Sequence, residues 1–340
     1  MQAGYAAGML FLAPLGDLLD RKRLIVSKAV VLTFALVASA VAPGLWFLTL
    51  TGIIVGLLGS VGQDFVPVAA HLATGEHRGH TIGVVTTGLL TGVLLSRTLG
   101  GVVGDLFGWR AIYWLAAGLI AIVGATAWRV LPSLPPTASG TYRGLLRSLA
   151  TLTAQHPKLR KAVTTQALLA VSLGAFWSTL ALMLAEPPFR FGASAAGAFG
   201  LAGAAGALGA PFFGHLADRR GPDAAIRFGC SLVVLSFGAM LVLPGVLGVL
   251  IVGAILFDLG VMAGLVSHQA IINEIDPAAR SRLNGLLMTA AMTGVALGAA
   301  AGGWAWSRHG WTGVCLVGAV AGGAALVRSL LPPLNRGVLT

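Results

Sequence analysis

Apolar runs of about twenty residues recur from one end of this sequence to the other, and they leave few folds open. A helix needs ~20 apolar residues to cross the hydrocarbon core of a bilayer. The runs occupy residues 1–16, 24–42, 46–70, 82–104, 110–131, 162–184, 193–213, 225–243, 246–270, 283–304 and 311–331, eleven in all. A soluble fold would have to hide these surfaces in one core, and single cores stop growing near ~250–300 residues. Of the 340 residues, 56% are hydrophobic and only 10% are charged; soluble domains carry roughly a quarter charged residues. Abundant Gly and Ala suit helices packed closely in lipid. The expected class is an all-α polytopic membrane protein.

The net charge of +11 would fit a nucleic-acid partner, but its distribution argues for topology instead. Eighteen of the 22 Lys and Arg residues fall in one set of loops, with Lys28 counted among them. Arg110, Arg190 and Arg308 fall in the other set, and Arg97 lies inside a span. The positive-inside rule makes the first set cytoplasmic. The longest polar interval, 132–161, carries prolines, serines and a basic amphipathic piece. It is expected to be a cytoplasmic linker at the membrane surface. It would join an N-terminal helical bundle (1–131, five spans) to a C-terminal six-helix bundle (162–331), with a cytoplasmic tail at 332–340. Cys230 and Cys315 lie within apolar runs and form no metal or disulfide pattern. Met1 is followed by no basic region of the kind that opens a cleavable signal peptide.

Charge gathers into a knot at "PLGDLLDRKRLIV", residues 14–26, and the knot returns. "GDLLDR" at 16–21 matches "GHLADR" at 214–219. A longer ungapped match joins 78–109 to 280–311: Arg78, Gly83, Thr87, Gly92, Gly100, Gly101, Gly108 and Trp109 recur as Arg280, Gly285, Thr289, Gly294, Gly302, Gly303, Gly310 and Trp311. Two halves in one orientation imply a parallel duplication about an axis along the membrane normal, an architecture common in transporters. Both halves can point the same way only if each has an even number of spans. The second half has six and the first five, so a further span is expected before residue 1.

The paired Gly-x-Leu-small-Asp-Arg loops resemble the signature of the major facilitator superfamily. Gly214, Leu216, Ala217, Asp218, Arg219 and Gly221 form the nearly complete second copy. The first keeps Gly16, Leu18, Asp20 and Arg21 but has Arg23 where the later glycine belongs. The resemblance implies a two-bundle fold showing spans two to twelve of a twelve-helix pattern. It also implies that Gly16, Asp20, Arg21, Gly214, Asp218 and Arg219 form cytoplasmic gating loops. Gly16 would let the chain turn tightly, and Asp20 would sit in the positive potential of a helix N-terminus. The rival reading makes these loops topology anchors only. The glycines at 83, 92, 100 and 101 resemble the span-five pattern of the drug:proton antiporter branch, with Ser96 and Arg97 in place of its Gly-Pro. Span eleven carries Gly285, Gly294, Gly298, Gly302 and Gly303, with Ala299 in place of Pro.

Polar groups at membrane depth are functional-site candidates by default. Arg97 lies about fifteen residues into its span, ~22 Å from the cytoplasmic end. It could bind an anionic or carbonyl-bearing substrate, pair with a buried acid, or snorkel to the outer surface. Asp258 and Asp64 are the candidate partners. A carboxylate that is both desolvated and near an Arg can gain and lose a proton during transport. Asp258 ranks first, because tenth spans line the cavity in the resembled family. Gln63, Gln269 and Trp177 are further candidates for the cavity wall. His268 reads as a solvated side chain near the cytoplasmic end, and Arg78 and Arg280 as lipid-headgroup anchors.

The sequence has no phosphate-binding loop of the Walker type and no Cys/His cluster at metal spacing. No cofactor, metal or catalytic role is expected. The expectation is a secondary active transporter in a bacterial inner membrane, expected to be monomeric. Its partners would be a small-molecule substrate, protons and the lipid bilayer, with no nucleic acid. It would work by proton-coupled efflux. The alternatives are a proton-coupled importer of an anionic nutrient, which would suit Arg97, an inactive N-terminally truncated fragment, and a membrane-embedded enzyme or scramblase.

Overall fold

A computed structural model of the chain describes residues 1–72, 78–136, 141–201, 203, 219–276 and 279–333, and every regular element among them is helical. The elements are α1 (Gln2–Ala7), continued by a π-helical turn (Gly8–Leu12), then α2 (Leu15–Leu18), α3 (Arg21–Ala40), α4 (Leu45–Gly59), α5 (Val61–Leu72), α6 (Arg78–Phe107) and α7 (Trp109–Val130). They are followed by α8 (Tyr142–Gln155), α9 (Pro157–Ala185), α10 (193–201), α11 (Pro222–Val242), α12 (Leu247–Asn273) and α13 (Arg280–Leu330). Each apolar run is mainly helical where it is described. Among the described residues, seven stretches are long and apolar enough to cross a membrane, α4 and most of α5 together forming one of them.

Two compact units emerge, Met1–Arg147 and Ser148–Thr340, the division falling within α8. The first unit packs Ile25, Leu32 and Leu36 of α3 against Leu58, Val61, Val68, Ala117 and Ala127. The second is built around Phe176, Phe237 and Phe257, all fully buried, with Trp311 against Phe176. In that unit α13 lies directly on α9. A Cβ added at Gly294 or Gly298 would come within 2.2 Å of the Ala167 carbonyl oxygen and 2.1 Å of that of Val171. One added at Gly302 would lie 2.8 Å from the Cα of Ala175. Such small-residue ridges let helix backbones approach without a side chain between them.

The internal repeat has a backbone cause at its Gly-Trp pair. Gly108 (φ 80°, ψ 163°) precedes α7, and Gly310 (φ 55°, ψ −145°) breaks α13 into two helices. Both glycines occupy left-handed backbone that a side chain would strain. The span-five and span-eleven glycines differ in use. Around Gly92, Gly100, Gly285 and Gly303 a Cβ would meet nothing within 4 Å, whereas Gly294, Gly298 and Gly302 are in close contact. Gly83 and Gly101 lie on α6.

Candidate functional site

Geometry at the opening charged knot is fixed by capping. Asp20 is the N-cap of α3, its carboxylate accepting from the Arg23 N–H at 3.1 Å and from the Ser133 hydroxyl. The Ser133 bond, before the backbone donors, holds the Asp20 carboxyl below its ordinary range. Arg21 donates to Asp17 at 2.9 Å and to the Gly16 carbonyl at 3.0 Å. The tight turn expected at Gly16 is displaced: Gly16 lies inside α2, where a Cβ would make an ordinary 3.7 Å contact, and the chain turns at Leu19 instead (φ −117°, ψ 160°). In the second copy Arg219 is exposed, while Gly214 and Asp218 lie outside the described residues. The missing later glycine of the first copy has a structural reason. α3 starts at Arg21, so Arg23 is already helical, whereas α11 starts one residue after the left-handed Gly221 (φ 84°).

A buried ion pair lies in the first unit. Lys28 Nζ is 2.7 Å from Asp64 Oδ2, with side chains only 3% and 10% exposed. Counting Lys28 among loop cations is therefore wrong. It sits seven residues past Arg21, two turns into α3 and about 10 Å along its axis. Asp64 occupies the first turn of α5, which begins just after the joint at Ser60. A helix start there offers a carboxylate a favourable dipole within the span. Gln63 stands beside it, within the electrostatic reach of Tyr5 of α1. Asp64 and Gln63, singled out from the sequence, thus belong to one cluster with Lys28 and Tyr5. Lys28 was concealed because it is only four residues from Leu24, the first residue of its apolar run, and reads as the tail of the Arg21–Arg23 knot.

Arg97 is half-buried on α6, between the exposed Leu95 and Leu99. The helix begins four residues earlier than the apolar run, at Arg78. Arg97 is therefore ~28 Å from that end and ~15 Å from Phe107. Asp64, one of its two proposed partners, is taken by Lys28.

The second unit brings together Trp177 and Asp258. Indole Nε1 of Trp177, on α9, donates to Asp258 Oδ1 at 3.3 Å, and Asp258 is 7% exposed. Asp258 stands eleven residues from one end of α12 and fifteen from the other, ~17 and ~22 Å. That is mid-span by either measure. Phe176, edge-on to Trp177 at 5.3 Å, and Phe257 form the apolar wall behind the pair. Trp177 is an amphipathic lid on the carboxylate, half-buried with its N–H engaged.

His268 is not the solvated side chain expected. It is 2% exposed, and its Nδ1 lies 3.0 Å from Oε1 of the buried Gln166 on α9. An amide oxygen only accepts, so Nδ1 carries the proton. Gln166 escaped sequence reading because its polar side chain sits in a long apolar run and has no motif around it. Gln269, next to His268, is half-buried on α12. Arg280, expected at lipid headgroups, donates Nε to the Asn273 carbonyl at 3.0 Å and so caps the end of α12. No group of three metal-ligating side chains occurs among the described residues.

Comparison with known proteins fits this arrangement. The Major Facilitator Superfamily profile matches residues 1–273. The putative uncharacterized transporter YgaY of Escherichia coli K12 is 38% identical over 318 residues, which cover 94% of this chain and 81% of that protein. The multidrug resistance protein MdtG of Proteus mirabilis is 25% identical over 231 residues, 66% of this chain and 56% of MdtG. The crystal structure of the nucleoside transporter NupG superimposes with a TM-score of 0.71 over 96% of this chain and 89% of NupG, and at 13% identity that likeness speaks for the fold alone. From its apolar helices, the duplicated charged loops and these matches together, the chain belongs to the Major Facilitator Superfamily and is a membrane transporter, not an enzyme.

Proposed function

We propose that this transporter exports a small organic solute in exchange for protons, by alternating access between its two bundles. The observation that carries the reading is Asp258: a carboxylate at mid-span, 7% exposed, that accepts from the indole N–H of Trp177. A carboxylate at that depth is a functional-site candidate by default. Adding or removing its proton changes what Trp177 can bond. Asp258 is thus the coupling acid and Trp177 the side chain that reports its state to the substrate. Similarity to MdtG, a multidrug resistance protein, supports the outward direction. The protein works as a monomer in a bacterial inner membrane, with the 132–161 linker and the C-terminus in the cytoplasm. Asp20 and Asp218 latch the cytoplasmic side. Retained transport and unchanged cytoplasmic accessibility in Asp20→Asn would sink the latch.

Arg97 favours a second reading, proton-coupled uptake of an anionic nutrient, because a guanidinium inside a span suits a carboxylate or phosphate. Energised inverted and right-side-out vesicles separate the two. Export requires that a fluorescent lipophilic cation such as ethidium, or another neutral or cationic solute from a panel, accumulate in the inverted vesicles and not in vesicles of Asp258→Asn. Accumulation of organic anions in right-side-out vesicles, lost in Arg97→Gln, would establish uptake instead.

A further inference from the structure

A second feature of the first unit lies away from the buried polar cluster. Between α3 and α7 runs a groove of about 340 Å³ with an almost wholly apolar lining, including Val26, Val30 and Phe34 on one wall and Ile120, Ala125 and Trp128 on the other. Small residues create it. Gly124 faces Ala29 so closely that an added Cβ would lie 3.0 Å from the alanine Cβ, so the helices touch at the floor and part above it. Phe34 and Trp128, 70% and 62% exposed, stand as its rims. From Val26 to Phe34 the groove runs ~12 Å along the helix, close to the depth of one ~15 Å leaflet.

Charge is arranged at one end only. Lys22 precedes Val26 by one helical turn, and Arg129 follows Ala125 by one turn, so both continue the lining stripes beyond the groove. The two helix ends are tied together there: the Arg21 N–H donates to the Leu134 carbonyl at 3.3 Å, and the Ser133 hydroxyl to Asp20. Nearby acids are already engaged. Asp17 pairs with Arg21, and Asp20 is held by Ser133 and by the Arg23 backbone, with the Arg23 charge in its field. Lys22 and Arg129 have no ion-pair partner among the described residues. Trp128 lies at the same level, where an indole suits the membrane–water boundary.

We propose that this groove is a binding site for an anionic phospholipid of the cytoplasmic leaflet. One acyl chain fills the α3–α7 groove, and the phosphate sits between Lys22 and Arg129. A zwitterionic lipid fills the same groove but gains less from the two cations, since its own ammonium opposes them. Each basic residue near an anionic surface strengthens binding by roughly fivefold, so the two together supply roughly thirtyfold selectivity.

The test is native mass spectrometry of the full chain, released from detergent with equal amounts of dioleoyl-phosphatidylglycerol and dioleoyl-phosphatidylcholine. The wild type should retain one phosphatidylglycerol in preference to phosphatidylcholine. Lys22→Gln with Arg129→Gln should lower that preference at least tenfold, while Lys22→Arg with Arg129→Lys keeps it. Ala125→Phe, which fills the groove, should lose the tightly held lipid of either kind; if that variant does not fold, Thr33→Trp fills it from α3. Equal retention of the two lipids by the wild type, selectivity unchanged in the double glutamine variant, or a lipid still retained with the groove filled would each overturn the proposal.

Discussion

Replacing Lys28 with methionine removes one half of the buried Lys28–Asp64 pair and leaves the other half in place. At an effective dielectric of about 20, two unit charges 2.7 Å apart attract by roughly 6 kcal/mol. Withdrawing both ions from water costs several kcal/mol each, so the intact pair contributes little net stability. Breaking it is another matter. The methionine fills the ammonium's space, but Asp64, 10% exposed, loses its counter-ion without regaining water. The expected loss is about 3–5 kcal/mol, or roughly two to three and a half powers of ten in the folded fraction. Substituting Asp64→Leu as well should restore most of it, because a well-packed apolar pair is often neutral or better. The assay is a double-mutant cycle on unfolding in mild detergent: Lys28→Met, Asp64→Leu, both together and the wild type. A positive coupling of at least about 2 kcal/mol is expected. If Lys28→Met melts within about 0.5 kcal/mol of the wild type, or if the two losses simply add, the pair is not buried as described.

Other expectations follow from the same structure. Asp20→Ala should cost about 1 kcal/mol as a lost helix cap, measured by thermal unfolding. Because the folded-state pKa of Asp20 is lowered, that contribution is complete above the ordinary aspartate value and fades as pH falls through the folded one, so the gap between wild type and variant should narrow in acid. Gly298→Val drives a side chain into the Val171 carbonyl and should abolish a monodisperse elution profile, whereas Gly303→Ala, with open space around it, should not. Gly108→Val should lower stability by about 1–3 kcal/mol through backbone strain alone, and Gly108→Ala by nearly as much. Trp177→Phe keeps the ring and removes the N–H donated to Asp258, so it should shift the pH dependence of transport while leaving expression unchanged. An unaltered profile would separate Trp177 from the coupling step.

Much of the fold is legible in the sequence because lipid imposes one simple rule on length and polarity. Each apolar run is mainly helix where it is described, and the Gly-Trp repeat marked the two left-handed glycines at 108 and 310. Loops and partners were less legible. Gly16 looked like a turn residue because its neighbours are charged, but the capping energy of Asp20 moved the turn to Leu19. Lys28 looked like part of a loop because hydropathy windows cannot tell a buried cation near a helix start from a solvated one; only its partner thirty-six residues later, Asp64, gives it away. Asp258 could be ranked from its mid-span place and from the family resemblance, whereas its bond to Trp177 depends on how α9 and α12 pack, and no local pattern encodes that. The same holds for Gln166 and His268, which meet across the same two helices. The gaps within the glycine-rich spans show the limit of motif reading: of five span-eleven glycines, three sit in a backbone contact and two face open space.

The central claim is that protonation of Asp258 drives alternation between the two bundles. Double electron–electron resonance tests it without knowing the substrate. Cys230 and Cys315 are first replaced by alanine, and spin labels are attached at Ser27→Cys on α3 and Arg227→Cys on α11, both exposed positions. Two distance populations are expected, their ratio changing as the pH is lowered from neutral, with the ratio fixed at one value over the same change in Asp258→Asn. A distribution in the parent protein that does not respond to pH, or a response that survives Asp258→Asn in full, would contradict it.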